Sequence, residues 1–181
     1  IAEGVLNNKK VVISSDRKNY WRYYGLKFDP FTNLPNEAVG YLPAQREQQF
    51  DILHYLCRSS NVLMTIIGNK GVGKTVFLKQ FIGQTDDSIQ VQQFLGSRQL
   101  GFAQLIDAIE KSFSISTPAT DSQEDKLDNL LTSFQLQEKR CLLVIDDAHL
   151  LPQESLRALF YFVKHQSEAQ MQFHILLVGQ P

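Results

Sequence analysis

Two short stretches carry residue types whose spacing could do chemistry. The first, GNKGVGKT from Gly68 to Thr75, has glycines at the first and sixth positions of a G-x-x-x-x-G-K-T pattern, between an apolar run and an amphipathic one. Gly68, Gly71 and Gly73 are expected to let the backbone take turns closed to residues with a Cβ. The N–H groups of Asn69, Lys70 and Val72, and of Val76 in the helix that follows, can then converge on phosphate oxygens. Lys74 is expected to reach the β- and γ-phosphates of a nucleoside triphosphate, and the Thr75 hydroxyl to ligate Mg²⁺.

The second stretch, CLLVIDDAHL from Cys141 to Leu150, ends an apolar run with adjacent carboxylates, which a strand buried on both faces cannot use. Parallel sheets deliver the carboxyl ends of their strands to one crevice, so Asp146 is expected to hold Mg²⁺ beside the phosphates, as a Walker B aspartate does. Asp147 stands where a general base would polarise the attacking water, or else caps the approach to the next helix. Aspartate is one methylene shorter than the glutamate usual at that place, which lengthens the reach by about an ångström and can cost about 10²-fold in rate. A slow ATPase or a switch therefore suits the pattern as well as a motor does. His149 either approaches the γ-phosphate or is a polar loop residue. His54, His165 and His174 show no metal-ligand spacing.

These groups need elements to position them, and the apolar periodicity supplies candidates. LPAQREQQFDILHYLCR predicts a helix with Pro43 in its first turn and Phe50, Leu53, Leu56 and Cys57 on one side. VLMTIIG predicts a strand running into the glycine loop. TVFLKQFIG predicts a helix, from Val76, Phe77, Phe81 and Ile82, ended by Gly83. After a strand at SIQVQQFLG, Leu100, Ala103, Ile106, Ile109 and Phe113 mark a further helix. Another opens with a capping pattern, Asp121 to Glu124 or Ser122 to Asp125, and continues through Leu127, Leu130, Leu131 and Phe134. The acidic strand precedes a helix from Pro152 with Leu156, Leu159, Phe160 and Val163 inward, then a strand at FHILLVG. Strands alternating with helices require crossovers, which means an α/β, three-layer parallel sheet.

Residues 1–19 show neither a helical nor a strand period and read as an arm or linker. In YWRYYGLKFDPF, Tyr20 to Phe31, six of twelve residues are aromatic; they either pin that arm to the domain or stack on a partner or on bases. The domain organisation expected is an N-terminal arm over 1–22 and a nucleotide-binding domain over 23–181.

The chain has 181 residues, 43% hydrophobic, with 18 basic and 19 acidic side chains and a formal net charge of −1. That length supports one sizeable core, and that balance gives no field drawing the domain onto nucleic acid or an anionic membrane. Cys57 and Cys141 both lie in apolar segments and read as reduced core thiols, which suits the cytoplasm. No run reaches the ~20 apolar residues of a membrane span. The chain starts at Ile1 and stops at Pro181 just past a strand, so a domain of a longer protein is expected. Neither an Asn/Thr-Lys-x-Asp guanine reader nor an Asp-x-x-Gly switch occurs, which speaks against a GTPase. G-x-S-x-G is absent too.

With both motifs placed, the chain resembles an AAA+ ATPase of the ExeA/GspA (general secretion pathway protein A) group over roughly residues 23–181. YYGLKFDPF, LPAQREQ, GNKGVGKT, LLVIDDAHLL and ILLVGQP carry the resemblance. It implies a P-loop NTPase fold of AAA+ type, with ATP and Mg²⁺ as ligands and the fifth core strand, arginine finger and helical lid falling after Pro181. It further implies that Leu42, Pro43 and Arg46 lie near the adenine, Arg46 otherwise being a solvated helix charge, and that Gln180 senses the γ-phosphate. Catalytic parts fall to Lys74, Asp147 and Gln180. Homo-oligomers, protein partners in a secretion or envelope assembly, and a parent anchored to the inner membrane are implied as well. A scaffold gated by ATP with little hydrolysis, and an accessory ATPase of DNA transposition, remain as alternative functions. Asp147 in place of glutamate and His149 in place of glutamine depart from the group.

Overall fold

The computed structural model describes residues 3–6, 9–12, 24–25, 44–59, 63–137, 140–165 and 172–181. The chain divides into two units, Ile1–Gly40 and Tyr41–Pro181. In the first, strands β1 (Glu3–Leu6) and β2 (Lys9–Val12) pair antiparallel, Glu3 opposite Val12 and Leu6 opposite Lys9. This short hairpin falls within residues 1–19, where the sequence shows no strand period. Four-residue strands are too short to show a period, and the valines in them favour extended backbone. The aromatic stretch Tyr20–Phe31 lies outside the described residues except for Tyr24 and Gly25.

The second unit runs α1 (Ala44–Ser59), β3 (Leu63–Ile67), α2 (Lys74–Gln84), β4 (Ile89–Leu95), α3 (Phe102–Phe113), α4 (Gln123–Gln135), β5 (Arg140–Asp146), α5 (Gln153–His165) and β6 (Phe173–Gly179). The four strands β3 to β6 form one parallel sheet in the order β3-β6-β5-β4. Strand β6 thus stands between the strand that feeds the glycine loop and the strand that ends in the paired aspartates.

Alternation along the two central strands divides the core. Leu142, Val144, Leu176 and Val178 pack with Phe50, Cys57, Phe77 and Phe81 of α1 and α2. Cys141, Leu143, Ile145, Phe173, Ile175 and Leu177 pack with α3, α4 and α5, where Leu105, Ile109, Leu130, Phe134, Leu159 and Phe162 are buried. Phe134 stacks on Phe173 at 4.1 Å between ring centroids, and Phe162 meets the same ring edge-on at 5.4 Å. Strands covered on both faces read as continuous apolar runs, as LLVI and ILLV do. The three-layer parallel architecture expected of the chain is the one found.

Burial raises the thiol pKa of Cys57 to about 11 and that of Cys141 to about 12, and neither cysteine is in a disulfide. Burial also lowers the pKa of His54, whose ring lies 4.8 Å from that of Phe81.

Three helix readings need correction. Helix α2 runs through Gly83 to Gln84 and is capped at Thr85, whose N–H donates to the Ile82 carbonyl at 3.1 Å; packing of Leu78 and Phe81 outweighs the glycine's low propensity. Its Val76 is exposed. Helix α3 starts at Phe102, so Leu100 precedes it, and Leu105 is buried where Ala103 was expected. Helix α5 buries Ser155, Ala158, Leu159 and Phe162, and leaves Phe160 exposed. A polar or small side chain can lie inward where its backbone neighbours leave no room for more, and apolar spacing alone misses it.

Candidate functional site

Asp146 belongs to the even-numbered series of β5, the series that faces α2, so the alternation that buries Leu142 and Val144 delivers its carboxylate to the start of that helix. The Thr75 hydroxyl donates to Asp146 Oδ2 at 2.8 Å, and the Asp147 N–H donates to Asp146 Oδ1 at 3.0 Å. Both oxygens of a carboxylate that is 5% exposed are therefore satisfied.

The glycine loop closes around a helix N-terminus. Gly71 and Gly73 have φ of 86° and 88°, the left-handed region that a Cβ makes costly, which bears out two of the three glycines on conformational grounds. Gly68 is different: its φ is not left-handed, and a Cβ there would stand 3.0 Å from Cγ2 of the exposed Val72, a tight contact with a side chain that can turn away. Gly73 caps α2 with no side-chain bond, leaving first-turn N–H groups for another acceptor. The Lys74 ammonium donates to the carbonyls of Gly68 at 2.8 Å and Asn69 at 3.0 Å, which holds its charge over the loop mouth.

Register then brings in β6. Ile67 pairs with Gly179, and the Gly68 N–H donates to the Gly179 carbonyl at 3.2 Å, so Gln180 leaves the sheet between the glycine loop and the paired aspartates. A cleft of about 420 Å³ is lined there by Lys70, Gly71, Gly73, Lys74, Thr75 and Val76 on one side, Asp146, Asp147 and His149 on another, and Gln180 between them. An adjoining cleft of about 410 Å³ is lined by Arg46, Val72, Leu53, Phe77 and the edge of β3. Arg46 Nη2 lies 3.6 Å from where a Cβ on Gly73 would stand. Leu42 falls outside the described residues.

Asp147 takes φ 53° and ψ 37°, a left-handed conformation that aspartate tolerates better than most residues. Its carboxylate is 41% exposed and lies 3.9 Å from His149 Nδ1. Sequence reasoning missed Gly96, which follows β4. Its N–H donates to the Asp146 carbonyl at 2.7 Å, and a Cβ there would stand 2.5 Å from the Asp147 carbonyl oxygen. The available signal was a glycine at the carboxyl end of a strand, beside the end that carries the acids. Also missed was the clamp beyond it: Ser155 Oγ donates to the Leu100 carbonyl at 2.6 Å, and the Phe102 N–H donates to Glu154 Oε1 at 3.3 Å.

The oxygens of Thr75 and Asp146 suit Mg²⁺, a hard ion that takes one or two protein oxygens and fills its shell with phosphate and water. Among the described residues no group of three or more His, Cys, Asp or Glu is placed to hold a metal. An uncapped helix N-terminus, a lysine, a metal-fitting oxygen pair and a neighbouring carboxylate line one cleft, a set that suits a phosphate group with its metal ion.

A parallel sheet with one strand inserted between its glycine-loop strand and its acidic strand defines a P-loop NTPase fold of the additional-strand class. The chain belongs to the AAA domain family, whose model matches residues 57–181. General secretion pathway protein A of Aeromonas hydrophila is 25% identical over 170 residues, covering 90% of this chain. The chain spans 30% of the length of that relative. Among solved structures, Cdc6p of Pyrobaculum aerophilum superposes with a TM-score of 0.61 at 23% identity, over 80% of this chain and 42% of that one. The ORC2 protein of Aeropyrum pernix, solved as ADPNP–ADP complexes, gives 0.56 at 15% identity, over 78% and 44%. These structural likenesses speak to the fold. Among the described residues no helix is long and apolar enough to cross a membrane.

Proposed function

We propose that this chain binds ATP with Mg²⁺ between the glycine loop and the paired aspartates, hydrolyses it to ADP and phosphate, and in its parent protein drives or gates assembly of a bacterial secretion or envelope machine. The observation that carries the reading is the 2.8 Å contact from Thr75 to Asp146, which joins two motifs far apart in the sequence at one point of a cleft. In this reading the loop N–H groups and Lys74 hold the phosphates, and Thr75 and Asp146 hold the metal. Bound there, Mg²⁺ would neutralise phosphate charge. Asp147 accepts the proton of the attacking water, and Gln180 contacts the γ-phosphate. Leu42 and Arg46 flank the base, which the neighbouring cleft beside Arg46 supports.

The nucleotide-binding domain is assigned to 23–181 with 1–22 as an arm, in the cytoplasm, and working as a homo-oligomer in the parent. The secretion role rests on the name of the relative alone, and the inner-membrane tether of the parent on the resemblance to its group. A nucleotide-gated scaffold with little hydrolysis is the second reading, favoured by the short and half-exposed Asp147. An accessory role in DNA transactions gains nothing from a net charge of −1.

The test separates the two aspartates. Asp146→Asn is expected to weaken Mg²⁺-dependent ATP affinity, and Asp147→Asn to keep affinity while lowering turnover by about 10² or more. Asparagine also tolerates the left-handed backbone at 147, so that variant keeps the turn. Equal loss of binding in both variants, read by titration calorimetry beside phosphate release, would refute the division of roles.

A further inference from the structure

We propose that His149 is a positioning residue for hydrolysis, its imidazole aiming the Asp147 carboxylate into the cleft. The inference rests on the hydrolytic reading above and assigns a role to a side chain that reading does not use. An aspartate swings on two torsions close to its own backbone, and a base must be held in direction as well as in reach. At 147 the backbone is fixed: the left-handed turn is closed by the Leu150 N–H donating to the Asp147 carbonyl at 2.9 Å. That turn puts residue 149 on the same side of the cleft as residue 147, with His149 Nδ1 at 3.9 Å from Asp147 Oδ1.

The same Nδ1 edge of the imidazole also lies close to the end of β6. A Cβ on Gly179 would stand 3.4 Å from the His149 nitrogen and 3.6 Å from its Nδ1, so the ring lies against bare backbone at the strand's end. The carbonyl of that same Gly179 accepts the Gly68 N–H. His149 Nδ1 thereby lies close to the end of β6 and to the Asp147 carboxylate at once, which limits how far the ring can swing from that carboxylate. The separation is longer than a hydrogen bond, and a small side-chain rotation closes it; bonds of this kind commonly tighten only when substrate is bound. In the closed arrangement Nδ1–H donates to Oδ1 and leaves Oδ2 to accept the proton of the water. The arrangement offsets, by direction, what the shorter aspartate loses in reach.

The experiment measures ATP affinity, kcat and melting temperature for the parent protein carrying this domain and for its His149→Leu, His149→Asn, Asp147→Asn and double His149→Leu/Asp147→Asn variants. The expected result is that His149→Leu lowers kcat about tenfold with ATP affinity and melting temperature little changed. His149→Asn, whose amide nitrogen falls near the place of Nδ1, recovers most of the loss. In the Asp147→Asn background His149→Leu has no further effect, because a residue that acts through Asp147 has nothing left to position. An unchanged kcat in His149→Leu, or the same loss with and without Asp147, overturns the inference while the hydrolytic reading stands. A parent protein carrying this domain that binds ATP with Mg²⁺ and shows no turnover overturns both. If His149→Leu does not fold, the ranking of His149→Asn above His149→Gln decides, and equal rates for these two overturn the inference.

Discussion

At Asp146, one carboxylate meets a hydroxyl donor from α2 and a backbone donor from its own neighbour, and each contact has a separate cause in the chain. Strand alternation gives the side chain its direction, and the left-handed turn at Asp147 gives the second donor. That turn has almost no room to shift. The backbone of Gly96 packs so closely that any side chain there would collide with the carbonyls of Asp146 and Asp147, which are backbone atoms and cannot rotate away. Gly96→Ala is therefore expected to cost about 1–3 kcal/mol of stability through overpacking. Because it displaces the turn, it should also cut ATP turnover by about 10²-fold. Chemical denaturation and phosphate-release assays on the same preparation check both; a variant as stable and as active as the parent would show that the turn accommodates the methyl group.

At the scale of elements, the helices differ in what fixes their ends. Helix α4 is set by its sequence: Ser122 accepts the Asp125 N–H at 3.3 Å, Glu124 and Asp125 lie in the first turn, and Leu127, Leu130, Leu131 and Phe134 fall inward. Ser122→Ala should lower stability by about 1 kcal/mol, read as a lower melting temperature with ATP affinity unchanged. No change in melting temperature would mean the cap is redundant with the acidic first turn. Helix α3 is set by tertiary contact instead, its first N–H, that of Phe102, donating to Glu154 of α5.

This contrast explains what the sequence could disclose. Where the signal is local, as in the capping pattern of α4 or the alternation of LLVI, the reading and the structure agree. Where an element's end depends on a side chain from another helix, no window of neighbouring residues contains it. The inward Ser155 of α5 is the clearest case: its partner is the Leu100 carbonyl, and the reading chose Phe160 because hydrophobicity was the available cue. The glycine loop and the acids were legible because phosphate and Mg²⁺ demand particular residue types. Gly96 was not, because its demand is for the absence of a side chain near a backbone that only the sheet order brings there.

The whole molecule joins these scales through strand order. With β6 between β3 and β5, the carboxyl ends of three neighbouring strands present the glycine loop, Gln180 and the paired aspartates to one cleft. Two apolar cores on the two faces hold those strands in register, so the site's geometry is inherited from the packing. The same placement makes nucleotide binding depend on both motifs together. The most direct measurement is a calorimetric titration of ATP into the chain and into Lys74→Ala, each with Mg²⁺ and with a chelator. Lys74 points at its own loop and away from the cores, so its loss should leave the fold intact and weaken binding of ATP with Mg²⁺ by about 10-fold or more. Chelation should weaken binding to the parent chain. Equal affinity in the parent and Lys74→Ala, or affinity indifferent to Mg²⁺, would contradict the assignment of this cleft as the ATP site.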